Sequence, residues 1–559
     1  MGIFWKTAKV NVTNQSAITT GGPRKALLSV IKPVGYVKNG AWTRIYAVHF
    51  KAGNTSADSS TRANEASSLR STINTTPTTV VGPNFLVGGD TNIYNNSASP
   101  YDAAWLRLTE SQANNVGRGF DMINMSGAWH NNGANAIYDS QCPCLSCTVT
   151  GQSGGGLDDR FDVLISSASL QDGAAMDYVP ASYLAFGNDG YHFNNDINGY
   201  LGGGDYNLAV PLDVANALHD AADHIPVMVT LQLPAKYGVP SQLSFGRVIV
   251  GATPSQTLAV SNAAPAPAAT LNYTLAASSG FTAPGGSFSA SVGVTNLHAL
   301  GMDASTLGAR SGSVTLSSND NDTTSKAIVL DGVVLAHAVP SLDSATVVTS
   351  TDLDWGTHAP GDFSDHGVTV YDQGYNAGQA RLTITGATIS GDSRFSLPGV
   401  VDPVTFGSPG VGFTIHFDDS SVQADSVYSA TLSFATRDES LPGGTSFAPL
   451  TVTLHAHVSG STGVVTPRVL RFDPPSPNPA HADAQLAYDL PHAAHVSLGV
   501  YDLSGRLVSR LVEGEVGAGH HAMRWSAQDD AGARVAAGLY FIRFETPGMK
   551  RVSRLAILP

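Results

Sequence analysis

The stretch Phe85-Leu86-Val87-Gly88-Gly89-Asp90-Thr91-Asn92 ends an apolar run in a carboxylate and an amide two residues apart. As a buried strand it leaves Asp90 and Asn92 on one face at its end. Three other runs carry a polar group at one end. Tyr46-Ala47-Val48-His49-Phe50 closes near a histidine, and Arg160-Phe161-Asp162-Val163-Leu164-Ile165-Ser166 opens on an acid. Ala222-Asp223-His224-Ile225-Pro226 sets an acid and an imidazole at the entrance of Val227-Met228-Val229-Thr230-Leu231. Four strands bearing such groups at their ends predict one site along one rim of a sheet.

A length of 559 residues predicts about three to five domains. Only 13% of residues are charged, and Gly, Ala, Ser, Thr and Val abound, which favours short strands and turns over long charged helices. The net charge of −14 argues against a general electrostatic grip on nucleic acid. Residues 1–234 also carry more acids than bases, 18 Asp+Glu against 13 Lys+Arg, so a nuclease here would need a locally basic groove. Residues 1–48 hold seven Lys or Arg and no acid, and Arg24, Lys25 and Arg44 are the candidates to line it. No run approaches a membrane-spanning length, and no charged-then-apolar leader opens the chain. The expectation is a cytosolic chain, or one whose true beginning lies upstream. Cys142, Cys144 and Cys147 cluster in one segment, which predicts a local disulfide with one thiol left over, the pair not being readable. Zinc on all three would need a fourth ligand such as His130.

In chain order, residues 54–60 read as a polar loop and 62–73 as a helix. Residues 93–157 read as a loop-heavy insertion in which Tyr101, Trp105 and Leu106 mark a short helix. Asp189 and His192 lie in a Gly/Asn-rich loop and fit a hydrogen-bonded turn at least as well as a catalytic role. After Pro234 the chain alternates apolar with Ser/Thr residues between frequent turns, the pattern of all-β sandwiches. Leu243-x-Phe245-Gly246 with Gly251 recurs 110 residues later as Leu353-x-Trp355-Gly356 with Gly361, one immunoglobulin-like module per repeat. Asn319-Asp320-Asn321-Asp322 fits a polar hairpin turn better than a calcium loop. A Gly/Ser/Thr linker at 459–463 precedes a last unit in which Val496, Leu498 and Val500 face one way.

The four strand-end motifs, in this order over about 1–234, resemble the endonuclease/exonuclease/phosphatase family typified by deoxyribonuclease I. Gly156-Leu157-Asp158-Asp159-Arg160-Phe161-Asp162 and Phe186-Gly187-Asn188-Asp189-Gly190-Tyr191-His192-Phe193-Asn194 look like a bacterial extracellular branch of it. The resemblance implies an α/β four-layer sandwich at 1–234; with the β pattern and repeat that follow, the chain reads as multidomain, with three all-β immunoglobulin-like sandwiches at 240–337, 343–458 and 464–559. It implies an exported, metal-dependent phosphodiesterase hydrolysing DNA or RNA. Asp90 would activate water, Asn92 would fix it, and His224 would act as acid/base with Asp162 setting its tautomer. His49 would stabilise developing charge, and Asp223 would assist magnesium, with manganese or calcium as substitutes. The family's early metal-binding glutamate has no counterpart before Pro23, so an N-terminally truncated frame with impaired activity is expected.

In the last unit, Pro477-Asn478-Pro479, Val500-Tyr501-Asp502-Leu503-Ser504-Gly505-Arg506, Gly519-His520, Trp525 and Ala537-Gly538-Leu539-Tyr540-Phe541 resemble sorting modules of the type IX secretion kind and flagellar-hook-capping domains. That likeness implies export, contact with secretion machinery and a secreted or cell-surface location. Two other functions fit: a phosphatase of the same fold acting on lipid or sugar phosphates, and a surface adhesion or scaffold protein with an inert nuclease-like domain.

Overall fold

The structure is a computed structural model and describes residues 2–95, 103–147, 151–399, 401–459, 467 and 469–559. It is mostly β, 45% strand and 10% helix. Two compact units partition the chain: Met1–Gly246, Pro254–Asp303 and Arg310–Gly332 form the first, and Arg247–Thr253, Ala304–Ala309 and Val333–Pro559 the second. Tyr101 and residues 460–463 of the expected linker lie outside the described residues.

The Gly-Gly-Asp stretch is a central strand of a six-stranded sheet. Its strands run β1 (Val10–Ile18), β2 (Ala26–Pro33), β3 (Thr43–His49), β4 (Asn84–Asp90), β6 (Asp162–Ser167) and β5 (Gly119–Asp121) across the sheet. Only β3 and β4 pair in parallel. Alternation sorts β4 between two cores. Phe85 and Val87 pack with Ala66, Leu69 and Ile73 of α1 (Ser56–Thr75), which a single turn α2 (Thr78–Val81) follows, and with Trp105 and Leu108 of α3 (Ala103–Thr109). Leu86 points the other way, toward Met122, Leu170, Met176 and Tyr183.

That second face departs from the expected four-layer sandwich. Its strands are two-residue pairs, Asp177–Tyr178 with Leu231–Gln232 and Leu184–Ala185 with Val227–Met228; no full second sheet forms among the described residues. Pro180 has no amide to give a ladder, Ala181 is left-handed at φ +62°, and Ser182 N closes a turn on Val179 O at 3.1 Å. The partner of the predicted Val227–Leu231 strand is therefore broken in its middle. Helix α1 corrects a second expectation, because it begins at Ser56, inside the predicted polar loop. Thr55 Oγ1 accepts Asp58 N and Asp58 Oδ2 accepts Thr55 N, both at 3.2 Å, a reciprocal cap that starts a helix in polar sequence.

The strands from Tyr237 to Leu335 form a four-stranded and a five-stranded sheet, and those from Pro340 to Val458 repeat that layout strand for strand. The sequence repeat has a physical basis. Phe245 and Trp355 are buried, and each precedes a glycine in left-handed conformation, Gly246 at φ +67° and Gly356 at φ +74°. The last strands, Arg471–Phe472 to Met549–Ile557, make a three-stranded and a four-stranded sheet around Val496, Leu498, Val500 and Trp525.

Asp320 and Asp322 are brackets within the first unit. Asp322 Oδ1 accepts the amides of Val37 and Lys38, both at 2.9 Å, and Oδ2 pairs with Lys236 Nζ at 2.8 Å. Asp320 Oδ2 accepts Tyr237 N at 3.0 Å, while its Oδ1 closes the turn on Asp322 N at 2.8 Å. The polar-turn expectation holds, with the added role of fixing residues 36–38 and 236–237. Asp322→Ala is expected to lower the stability of this unit by about 1–3 kcal/mol, read as the urea midpoint of the full chain, and an unchanged midpoint would reduce the bracket to a surface contact.

Candidate functional site

Strand register brings the predicted strand ends together. In the parallel β3/β4 pair His49 lies opposite Asp90, and in the antiparallel β4/β6 pair Asp90 lies opposite Asp162. Three polar groups thus sit in a row across neighbouring strands about 4.8 Å apart. The glycines before Asp90 make this possible. Gly89 has φ +126°, and a Cβ there would meet Val48 O at 2.3 Å. At one end of the row His49 and Asn92 hold Asp90. His49 Nε2 lies 3.2 Å from Asp90 Oδ2, and Asn92 gives both its backbone N (3.0 Å) and its Nδ2 (2.8 Å) to Asp90 Oδ1. Asn92 holds φ +51°, a conformation asparagine tolerates better than most residues.

His224 enters from outside the sheet and joins the two acids. Its Nδ1 is 2.5 Å from Asp162 Oδ2 and its Nε2 is 3.8 Å from Asp90 Oδ2. Ser140 Oγ donates to the same Asp162 oxygen at 2.8 Å and accepts Asp162 N at 3.1 Å. Gln141 Nε2 lies 2.9 Å from His224 Nε2. A neutral ring can accept that bond, whereas an imidazolium donates from both nitrogens and requires the Gln141 amide turned by 180°.

The electrostatics separate the two ends of the row. Burial, reinforced by the Asp162 charge, raises Asp90 to about 6, although His224 and Asn92 pull it down. Burial would lower His224, but the hydrogen bond and charge of Asp162, with Asp90 and Asp223, outweigh it and raise the imidazole to about 9. Burial, then the charges of Arg24 and His224, lowers His49 below the ordinary imidazole value against Asp162 and Asp223. Near neutral pH the arrangement is a carboxylate with a base-like pKa between a charged and a neutral imidazole, and it can take a proton at one atom while giving one at another.

Other expected groups stand elsewhere. Asp223 is adjacent in sequence, yet its Oδ2 accepts Ser153 N at 3.0 Å. It belongs to no group of three or more converging His, Cys, Asp or Glu side chains among the described residues; one carboxylate already engaged by an amide is a poor fit for resident magnesium. Arg24 is exposed, with Nη1 3.5 Å from Phe50 O beside His49. Arg44 corrects the groove assignment: it is fully buried, with Nη2 on Pro83 O at 3.2 Å. His192 is a buried turn residue tied to Asp189 Oδ1 at 2.8 Å and Gly199 O at 3.0 Å. Cys144 and Cys147 form the disulfide and Cys142 is the buried free thiol. Ser140 and Gln141 went unnoticed in the sequence because neutral residues beside a cysteine-rich loop carry no local signal of contact with an acid 22 residues away or a histidine 83 residues away.

Residues 478–547 match the family of the FlgD Ig-like domain. No curated protein matches the chain. Among solved structures, an endonuclease/exonuclease/phosphatase from Beutenbergia cavernae DSM 12333 is 12% identical, covers 56% of this chain and 71% of its own, and has a TM-score of 0.22. Dimeric latent PorU from Porphyromonas gingivalis is 12% identical over 71% of this chain and 42% of its own, TM-score 0.15. PorZ, a surface component of the type-IX secretion system of the same organism, is 18% identical over 22% of this chain and 15% of its own, TM-score 0.13. Scores this low carry no argument about the arrangement of the chain. No helix among the described residues is long and apolar enough to cross a membrane. The chain is thus a mostly β, multidomain protein whose C-terminal part is similar to the FlgD Ig-like domain.

Proposed function

We propose that the unit carrying the six-stranded sheet is a phosphodiesterase of the endonuclease/exonuclease/phosphatase type that hydrolyses nucleic acid outside the cell. The observation that carries this is the row His49, Asp90, Asp162 closed by His224, with one carboxylate raised to about 6 and one imidazole raised to about 9. Asp90, its Oδ1 held by Asn92, takes a proton from water as the new oxygen–phosphorus bond forms. His224 gives its Nε2 proton to the departing ester oxygen as that bond breaks, and Asp162 keeps Nδ1 protonated and the ring aligned. His49 and Arg24 face the non-bridging oxygens, where negative charge grows. Magnesium, implied by the family resemblance, would reach the reaction with the phosphate rather than from a built protein site. The C-terminal module serves in this proposal as a sorting unit that meets secretion machinery and leaves the protein secreted or surface-held.

The test is cleavage of plasmid DNA, single-stranded RNA and an activated aryl phosphodiester by the full chain across pH 4–11. The base must be ionised and the acid protonated, so activity rises through about 6 and falls through about 9. Cleavage with a flat profile over that window would sink the acid–base assignment. Absence of cleavage of all three substrates would favour the alternative of an adhesive protein with an inert site, in which the β modules do the work.

A further inference from the structure

Away from the acid–base row, His130, Asp158 and Asp159 each turn a ligand atom into one space, all three atoms lying within 4.8 Å of one another. Backbone pairing holds them there. His130 and Asp159 face each other in an antiparallel bridge, Gln141 bridges Asp159 as well, and Asn131 N donates to Asp158 O at 2.7 Å. His130 Nδ1 contacts Asp159 Oδ1, and Tyr94 meets the imidazole edge-on at 5.0 Å.

A fourth acid makes the cluster unbalanced. Asp139 is completely buried, and neither of its carboxylate oxygens has a hydrogen-bond partner among the described residues. The charges of Asp159 and Asp158 both act against it. Arg160 is the cation that favours it, but that guanidinium is bidentate on Asp121, at 2.6 and 3.0 Å. Burial, together with the charges of Asp159 and Asp158, disfavours a charge on Asp139, so ionising these acids together is costly. A dication at the converging atoms removes most of that cost.

We infer that His130, Asp158 and Asp159 hold a divalent transition metal of the zinc or manganese kind. Its charge would favour ionisation of the orphaned Asp139 carboxyl nearby. One imidazole with carboxylates suits these ions better than magnesium or calcium, which prefer oxygen alone. The half-exposed His130 side chain, 47% accessible, leaves a solvent side for entry and for water ligands. Cys144 and Cys147 take no part, being bonded to each other, and the free Cys142 is not among the converging ligands. The ion would clamp the segment around His130 to Asp158 and Asp159, and through the Gln141 backbone steady the side chain that touches His224. None of this depends on phosphodiester cleavage.

The experiment is titration of the full chain with zinc chloride and, separately, manganese chloride, by calorimetry and, for manganese, by pulsed electron paramagnetic resonance. One equivalent should bind, raise the melting temperature by mass action and show coupling to a nitrogen. His130→Ala should abolish the nitrogen coupling, and His130→Ala and Asp158→Asn should each weaken binding by at least about tenfold. Asp223→Asn should bind like the parent. Both cluster variants replace side chains that reach solvent, and matching melting curves without metal would verify their folding. The inference is overturned if no ion binds saturably, if both variants bind like the parent, or if Asp223→Asn is the substitution that removes binding.

Discussion

His224→Ala is expected to lower kcat for phosphodiester cleavage by about 10²–10⁴ while leaving KM within a few-fold. The imidazolium is the group with both position and charge to protonate a leaving oxygen. Its Nε2 lies 3.8 Å from Asp90 Oδ2, so acid and base reach the same small volume, and Asp162 at 2.5 Å holds the proton on the far nitrogen. Removing the ring takes away the acid and also a charge that pulls Asp90 down. The surviving activity should therefore lose its fall near about 9 and show its rise shifted to higher pH. That double signature separates loss of the acid from simple misfolding, which would lower activity at every pH alike. His49→Ala should cost less, because the neutral His49 ring shares its work with the Arg24 cation. A His224→Ala protein cleaving within threefold of the parent, with an unchanged upper limb, would remove His224 from the chemistry. An aryl ester with a good leaving group needs little protonation, so its cleavage should suffer least.

How much of this was legible beforehand follows from which interactions are local. His49, Asp90, Asp162 and His224 could be found because each ends an apolar run, and a strand's own sequence says where it meets the rim. Their register could not, since a one-residue slip would scatter the row and only packing excludes it. The aromatic-glycine repeat around Phe245 and Trp355 was readable because a plug and a left-handed turn are properties of a few adjacent residues. The start of α1 was missed because Thr55 and Asp58 cap the helix with polar atoms, and polar sequence reads as loop. Arg44 was misassigned because burial of a guanidinium depends on Tyr46 and the distant Pro83 carbonyl. The full second sheet was implied by the family resemblance, whereas the segment opposite Val227–Leu231 is broken around Pro180. His130, Asp158 and Asp159 were all visible as letters, but the bridge that gathers them joins residues 29 apart and leaves no periodic trace.

The largest loss of stability is expected from Arg160→Ala, about 3–5 kcal/mol. Arg160 is fully buried and Asp121 nearly so, with side chains 0% and 6% accessible, and two hydrogen bonds join them. The guanidinium also lies against the rings of Trp129 and Tyr183, at 5.2 and 5.5 Å. Alanine would leave a hole between two aromatic rings and strand the Asp121 charge in the interior, answered by the amides of Ile123 and Met125. The unpaired charge, rather than the lost attraction, dominates the cost. Asp121→Leu combined with Arg160→Met should therefore recover most of the loss, because an apolar pair of similar volume needs no compensation. Hydrogen exchange at the β6 amides reads the six-stranded sheet apart from the β sandwiches. The substitution also reaches the chemistry, since Arg160 precedes Asp162 by two residues and β5, which carries Asp121, pairs with β6. Loosening that edge should reduce kcat in Arg160→Ala, and the apolar double variant should restore it. A single variant within about 1 kcal/mol of the parent would mean that Asp121 finds water or a proton in place of its partner, and the rim would owe its rigidity to the α1 face of the sheet alone.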